Sequence, residues 1–281
     1  MGMEVKRSNL DEAVVKGFGS EWSRFDQADL SAADLNDVFD NYFHIFPWDT
    51  LPQDSVGADI GCGSGRWASL VAPRVGHLKL VDPSSDALDV ARKNLSEALN
   101  VSYFRASVDS LPFKEASLDF AYSLGVLHHV PDTVEAIRSI AHFLKPGAPF
   151  LIYLYYAFDQ RPWWFRVLWR TSDLFRKGIS RMPVRLKNIV CEGIALLVYL
   201  PLARTAALFE RLGILPESWP LAYYRHYEYY VMRTDALDRF GTRLEQRFSR
   251  QEIKNILQLA GFTDIQFSNR QPFWCAVGVK I

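Results

Sequence analysis

Cysteine is scarce in this chain. Cys62, Cys191 and Cys275 are the three present among 281 residues, widely spaced and without ligand-type pairing. That argues against a disulfide-stapled scaffold and for a reduced, intracellular protein with buried thiols. Net charge is lacking as well: 32 basic residues balance 32 acidic ones, so the molecule as a whole offers nucleic acid no global attraction. The opening MGMEVKRSNL has no apolar core of a secretory signal, and no serine or threonine stands where a myristoylation signal after Gly2 needs one. Long hydrophobic runs are missing. The nearest, GIALLVYLPLA from Gly193 to Ala203, is bounded by Glu192 and Arg204. It falls short of the roughly 18 apolar residues of a membrane span and predicts a buried or surface-docked helix. No Cys, His and Asp residues share ligand spacing, so no metal is expected.

What is present is a composition 49% hydrophobic and 23% charged, that of a folded chain with a sizeable core. The length suits one large domain, or one domain carrying an insertion. Residues 1–54 form an aromatic-rich arm in which SAADLNDVFDNYF reads as a helix capped by Ser31, with Leu35, Val38, Phe39 and Tyr42 on one stripe. The arm has no core of its own and is expected to cover the domain that begins after residue 54. From Val56, the strand patterns VGADI, LKLVD, VSYFRA, SLDFAYS and PFLIYLYY alternate with the helix patterns WASLVAPRV, SSDALDVARKNLSEAL and VEAIRSIAHFL. That alternation marks βαβ units building a parallel sheet covered on both faces. The rhythm breaks between 158 and 235. It resumes with SRQEIKNILQLAGF, a helix opening on a Ser249/Glu252 capping box, and closes with TDIQFSN and FWCAVGVKI as an antiparallel pair.

Asp59-Ile60-Gly61-Cys62-Gly63-Ser64-Gly65 lies where the first strand passes into the first helix, the crevice in which open parallel sheets bind ligands. Its glycines let the backbone approach a ligand closely. Asp82 ends the second strand, where a carboxylate accepts hydrogen bonds from both hydroxyls of a ribose. A dinucleotide-binding turn needs a glycine three residues beyond Gly63, and that position is Arg66. A carboxylate at Asp59 repels pyrophosphate and suits a ligand carrying an ammonium and a sulfonium. A cationic nucleoside is the expected ligand.

Together these segments resemble the class I S-adenosylmethionine-dependent methyltransferases, in particular their type 11 or UbiE-like small-molecule group. Asp59 to Gly65 is similar to their first motif, VDPSSDAL to the acidic segment after the second strand, ASVDSLPF to the adenine-flanking segment, and LDFAYSLGVLHHVPD to the region around the fourth strand. The similarity covers residues 55–157 and returns at 248–279. It implies a Rossmann-like α/β fold with a seven-stranded sheet in the order 3-2-1-4-5-7-6, the last strand antiparallel, built from 55–157 and 236–281. It also implies S-adenosyl-L-methionine as cofactor. By the same resemblance Asp59, Gly61, Cys62, Gly63 and Gly65 hold the methionine portion, and Asp82, with Pro83 beside it, takes the ribose. Ser107, Val108 and Asp109 flank adenine, and Leu124 and Gly125 line the cofactor. Without the resemblance, Asp109 is equally a loop cap before Leu111. Phe18 and Trp22 in GFGSEWSRF either pack over the cofactor, as in the relatives, or belong to the core.

Methyl transfer requires alignment of acceptor, methyl and sulfur, and an exit for the acceptor's proton. His128 and His129, just past the fourth strand, are the first choice of base, with a structural role as the alternative. His44, Tyr122 and His226 are weaker choices, and an easily ionised acceptor needs none. The insertion 158–235 stands where this superfamily grafts a helical acceptor lid. Between Arg161 and Lys187 eight basic residues meet one acid, Asp173, among Trp163, Trp164, Phe165, Trp169 and Phe175. Such a segment suits an anionic membrane surface, an acidic acceptor or the acidic N-terminal arm. The apolar NIVCEGIALLVYLPLARTAALFERLG and the tyrosine-rich PLAYYRHYEYYVMRTD suit a hydrophobic or aromatic acceptor such as a quinone, lipid or polyketide. A small polar metabolite or sugar is the alternative acceptor, a homodimer interface an alternative use of the lid, and a non-enzymatic cofactor-binding protein an alternative function. Nucleic acid is least favoured, because Tyr122-Ser123-Leu124-Gly125 stands where base-modifying relatives carry an Asn- or Asp-Pro-Pro-aromatic segment. The expected location is cytoplasmic, peripheral at the inner face of a membrane.

Overall fold

The computed structural model describes residues 9–24, 32–158, 162–216 and 219–281; Ser31 and Arg161, singled out above, lie outside them. The chain divides into two units, one of residues 9–24, Asn36–Ala157 and Leu244–Ile281, the other of residues 32–35 and Phe158–Arg243. The strands are Val56–Ile60 (β1), His77–Asp82 (β2), Val101–Arg105 (β3), Phe120–Leu124 (β4), Pro149–Tyr153 (β5), Phe262–Phe267 (β6) and Cys275–Lys280 (β7). In chain order the helices are Glu12–Arg24 (α1), Ala32–Phe43 (α2), Ala68–Val71 (α3), Ser85–Asn94 (α4), Thr133–Phe143 (α5), Trp163–Ile179 (α6), Val184–Ile194 (α7), Leu200–Arg211 (α8), Tyr229–Gly241 (α9) and Arg250–Leu259 (α10).

The sheet of the first unit has the order β3-β2-β1-β4-β5-β7-β6 that the resemblance implies. β1 to β5 are parallel, and β7 runs antiparallel between β5 and β6. Alternation along the strands sorts their side chains onto two faces. Ala58, Ile60, Ala121, Phe150 and Ile152 pack with Ile137 and Ile140 of α5 and with Ile253 and Leu257 of α10. Leu78, Leu80, Phe120, Tyr122 and Leu151 pack on the other face with Leu88 and Ala91 of α4 and with Phe39, Phe43 and Phe46. The arm therefore supplies a layer of this core: Phe39 stacks on Phe43 at 4.2 Å, and Phe43 meets Tyr122 edge-on at 5.3 Å. β1 lies so close to its covering ring that a Cβ on Gly57 would fall 2.1 Å from Phe120.

Several segments depart from their expected bounds. The helix after the glycine turn is four residues long and tightens into a 3-10 turn, Ala72–Arg74, because Pro73 has no N–H to continue the ladder. α4 stops at Asn94, whose side-chain amide donates to the Ser64 carbonyl at 3.0 Å, and Leu99 is left exposed. β5 ends at Tyr153, and Tyr156 makes an isolated bridge to Phe248. The capping box on α10 is present in both directions.

In the second unit the boundary expected at 235/236 falls inside α9. α7, a π-helical turn at Ala195–Tyr199 and α8 run on as one helix, Val184–Arg211. Its 28 residues extend well beyond the run Gly193 to Ala203 and, by length and composition alone, are long and apolar enough to cross a membrane. Pro201 accounts for the π turn, since its ring and missing N–H break the bond to the carbonyl four residues back. Buried Ala195, Ala203 and Ala206 let the flanking elements of this unit approach. Arg176 and Lys187 donate to the carbonyls of Thr242 and Gly241, at 2.9 and 3.3 Å, where the end of α9 carries partial negative charge.

Gly57→Ala is expected to lower stability by about 1–3 kcal/mol through overpacking, measured as a lower urea midpoint at unchanged slope. Adding Phe120→Leu to that variant is expected to recover part of the loss.

Candidate cofactor-binding site

The glycine turn takes its shape from the neighbouring strand. The N–H groups of Gly61 and Cys62 both donate to the Val81 carbonyl, at 2.8 and 3.0 Å. Gly61 and Gly63 have φ of +80° and +53°, a region that side chains disfavour. A Cβ would also meet Val126 at 2.4 Å and Trp22 at 2.9 Å. Asp82 then joins the turn to β2, its carboxylate accepting from the N–H of Gly63 at 3.1 Å and of Ser84 at 2.9 Å. Each oxygen keeps a further lone pair for a ligand hydroxyl.

These parts border a cleft that is open to solvent and sits at the mouth of the sheet, where open parallel sheets bind ligands. Gly61, Cys62, Gly63, Asp82, Pro83, Leu124 and Gly125 line it, and Phe18 and Trp22 of α1 roof it. Gly19 lets α1 pass the start of α4, where a Cβ would lie 2.5 Å from Ser84 Oγ. Asn9 fastens the roof at both edges of the cleft. Its N–H donates to Asp109 at 2.9 Å, its side-chain amide to the Asp132 carbonyl at 2.7 Å, and its side-chain oxygen accepts from Asp132 N–H at 2.7 Å. Sequence reasoning missed Asn9; its one local signal was Asp11, which caps α1 by accepting from the N–H groups of Ala13 and Val14.

Other expected residues stand elsewhere. Asp59 lies behind the lining, 1% exposed, and accepts from the Tyr122 hydroxyl at 2.9 Å. Gly65 also stands outside it, and a Cβ there would meet Leu95 at 2.9 Å, so this glycine serves the packing of α4. Ser107, Val108 and Asp109 do not line the cleft either. Val108 belongs to the sheet core, and Asp109 accepts from Asn9 and from the Ser107 hydroxyl, anchoring the roof.

The two acids are electrostatically unusual. Burial pushes the Asp59 carboxyl up to about 8, against the Tyr122 hydrogen bond, with Asp82 adding to the rise and Arg66 opposing it. Burial pushes Asp82 up to about 6, against the pull of its two backbone donors. Both carboxyls therefore exchange protons near neutrality, and a cation in the cleft favours their ionised forms.

Of the adjacent histidines, His129 lines the cleft, its ring 5.0 Å from that of Phe18. Its Nδ1 is 2.7 Å from the Leu244 carbonyl. A carbonyl only accepts, so Nδ1 carries the proton and Nε2 the lone pair. His128 does not line the cleft. It is fully buried, stacked on Tyr155 at 3.8 Å, with no hydrogen-bond partner for either ring nitrogen among the described residues. Burial, followed by His129 and Arg247, holds it neutral, well below the usual histidine range. Tyr122 is committed to Asp59, and burial raises its hydroxyl well above the tyrosine range. His44 is exposed, outside the lining, with Nδ1 beside the Asp40 and Asn41 carbonyls. His226 belongs to the second unit, where its Nε2 is 2.8 Å from Glu210.

Strand order, glycine turn and strand-end carboxylate define a class I nucleoside-binding methyltransferase fold. Residues 58–152 match the family model described as a methyltransferase domain. The chain is 32% identical over 96 residues to the ubiquinone biosynthesis O-methyltransferase of Serratia proteamaculans, covering 34% of this chain and 40% of that protein. It is 35% identical over 109 residues to the tRNA (carboxymethyluridine(34)-5-O)-methyltransferase of Saccharomyces cerevisiae, covering 37% of each. Human N-acetylserotonin methyltransferase, solved in complex with S-adenosylmethionine, superposes with a TM-score of 0.54 at 15% identity over 95% of this chain and 57% of that one. That likeness shows the fold alone. The matches span less than half the length of these two curated relatives. Residues 58–152 carry a methyltransferase domain, on a sheet with the class I strand order of the S-adenosylmethionine-dependent enzymes.

Calorimetry is expected to show S-adenosylmethionine affinity rising from pH 6 to pH 8 with proton release, as Asp82 and Asp59 ionise beside the ligand's cation. Ligand-free stability runs the other way. With folded pKa values above the unfolded 3.8, their contribution is full below that value and is lost as pH rises through about 6 and about 8. Asn9→Ala removes two roof bonds worth about 1 kcal/mol each and is expected to weaken the cofactor about tenfold or more, read in the same titration.

Proposed function

We propose that this chain transfers the methyl group of S-adenosylmethionine to a small hydrophobic or aromatic organic acceptor. The observation that carries this reading is the apolar wall of the cleft, in which Val14, Phe18, Trp22, Trp67, Val126 and Val130 surround the polar cofactor contacts. Such a wall offers water few partners and lowers the local dielectric, which strengthens electrostatic interactions beside it. S-adenosylmethionine supplies a methyl group activated by cationic sulfur: the acceptor's lone pair forms the new bond while the methyl–sulfur bond breaks, its electrons staying on sulfur.

The protein's own work is orientation and proton removal. In this reading His129 Nε2 takes the acceptor's proton. The Leu244 carbonyl fixes that ring. Gln246 braces the loop that carries it, its N–H donating to the His128 carbonyl at 2.9 Å and its side-chain amide to the Val130 carbonyl at 2.6 Å. The quinone-directed relative supports the acceptor class. The tRNA-directed relative, with the basic segment 162–187, favours a nucleoside in RNA as the second reading.

Labelled S-adenosylmethionine offered with phenols and quinols, small polar metabolites or tRNA is expected to label the first group. Label confined to tRNA, or to polar metabolites, overturns the acceptor class. His129→Ala is expected to lower kcat about 10²-fold or more, a larger effect than on cofactor affinity in calorimetry. An unaltered kcat removes it as the base.

A further inference from the structure

We propose that the second unit docks on an anionic lipid bilayer, with α6 lying in the headgroup plane. Among the described residues eighteen large apolar side chains are exposed, and fifteen of them fall between Trp163 and Ile214. That concentration is far beyond the scattered apolar residues of an ordinary surface.

On α6 the exposed residues are periodic. Trp163, Val167 and Leu174 are spaced i, i+4, i+11, and Trp164, Leu168 and Phe175 repeat that spacing one position on. At 100° per residue all six share one arc of the helix. That arc is outward, with Trp163, Leu174 and Phe175 exposed by 72%, 69% and 66%. The inward side carries Trp169, 5.7 Å from Phe158, together with buried Arg176 and Ile179. A surface helix of a globular protein turns its apolar stripe to the core; α6 has a packed inner side and a second apolar stripe facing out.

Cations border that stripe. Arg166, Arg170 and Lys177 project along its edge by the same angular count, and all three are exposed. Residues 162–187 hold seven Lys and Arg against one acid, a net of +6. The acid, Asp173, is already met by Arg176 at 2.7 Å and Lys177 at 3.0 Å. Arg181 and Arg185, also exposed, continue the positive edge. The long helix widens the apolar surface with exposed Leu186, Ile189, Leu196 and Leu197, and open space surrounds Gly193 between them.

Acyl chains accept the apolar stripe, tryptophan rings favour the boundary depth, and arginines draw anionic headgroups. A second copy of the chain meets these demands poorly, because an isologous interface sets +6 against +6. A nucleic acid or acidic protein would answer the cations and leave the outward stripe in water.

The test is co-sedimentation of the full chain with vesicles of phosphatidylcholine alone and of phosphatidylcholine mixed with phosphatidylserine. Partition is expected to be at least about tenfold higher on the mixed vesicles. The variants Leu168→Ser/Leu174→Ser/Phe175→Ser and Arg166→Glu/Arg170→Glu are each expected to reduce it about tenfold or more. S-adenosylmethionine affinity is expected to stay unchanged in both variants, which shows that they fold. Equal partition on the two vesicle types, or none on either, overturns the proposal. So does a dimer in light scattering that the serine variant dissociates while the unmodified chain ignores vesicles. Vesicle binding without any S-adenosylmethionine binding would strike the catalytic reading and leave this one standing.

Discussion

The junction between the glycine turn and the end of β2 is the constraint on which the site depends. Two N–H groups of the turn share one carbonyl, that of Val81, and a third reaches the carboxylate of the next residue, Asp82. The turn is thereby held in torsions that only glycine adopts without strain. Fixing it also fixes Val126 and Trp22, which occupy the space that side chains on Gly61 and Gly63 would take. Floor, rim and roof of the cleft thus share one local origin.

Burial of two acids beside that junction costs solvation and is tolerated because each is hydrogen-bonded. The cost is not symmetrical. Asp82 faces the cleft with two backbone donors behind it, while Asp59 sits deeper and is answered by a single phenol. A positive ligand would relieve the cost that burial places on ionised carboxylates, and a phosphate would add to it.

The central strands could be read from the chain because they are buried on both faces and run as apolar segments: β4 is buried at every position, whereas the edge strands β3 and β6 are not. The glycine turn and Asp82 could be read because backbone torsion and strand-end position constrain residue type locally. Asn9 could not, because its partners lie 100 and 123 residues away and nothing near it in sequence announces them. The division between His128 and His129 was hidden for a related reason. In a single 3-10 turn, Leu127–His129, adjacent residues point different ways, and only the folded loop decides which ring meets the cleft. The helix Val184–Arg211 was legible as the apolar segment that opens NIVCEGIALLVY and runs through Pro201, which is accommodated by a widened turn.

The roof formed by α1 has a consequence for the tempo of the reaction. Phe18 and Trp22 cover part of a cleft that is otherwise open to solvent, and Asn9 ties the chain ahead of α1 to Asp109 and Asp132. Loosening of that short strap would widen the entrance, which couples its hold on the two loops to how readily a bound molecule is exchanged.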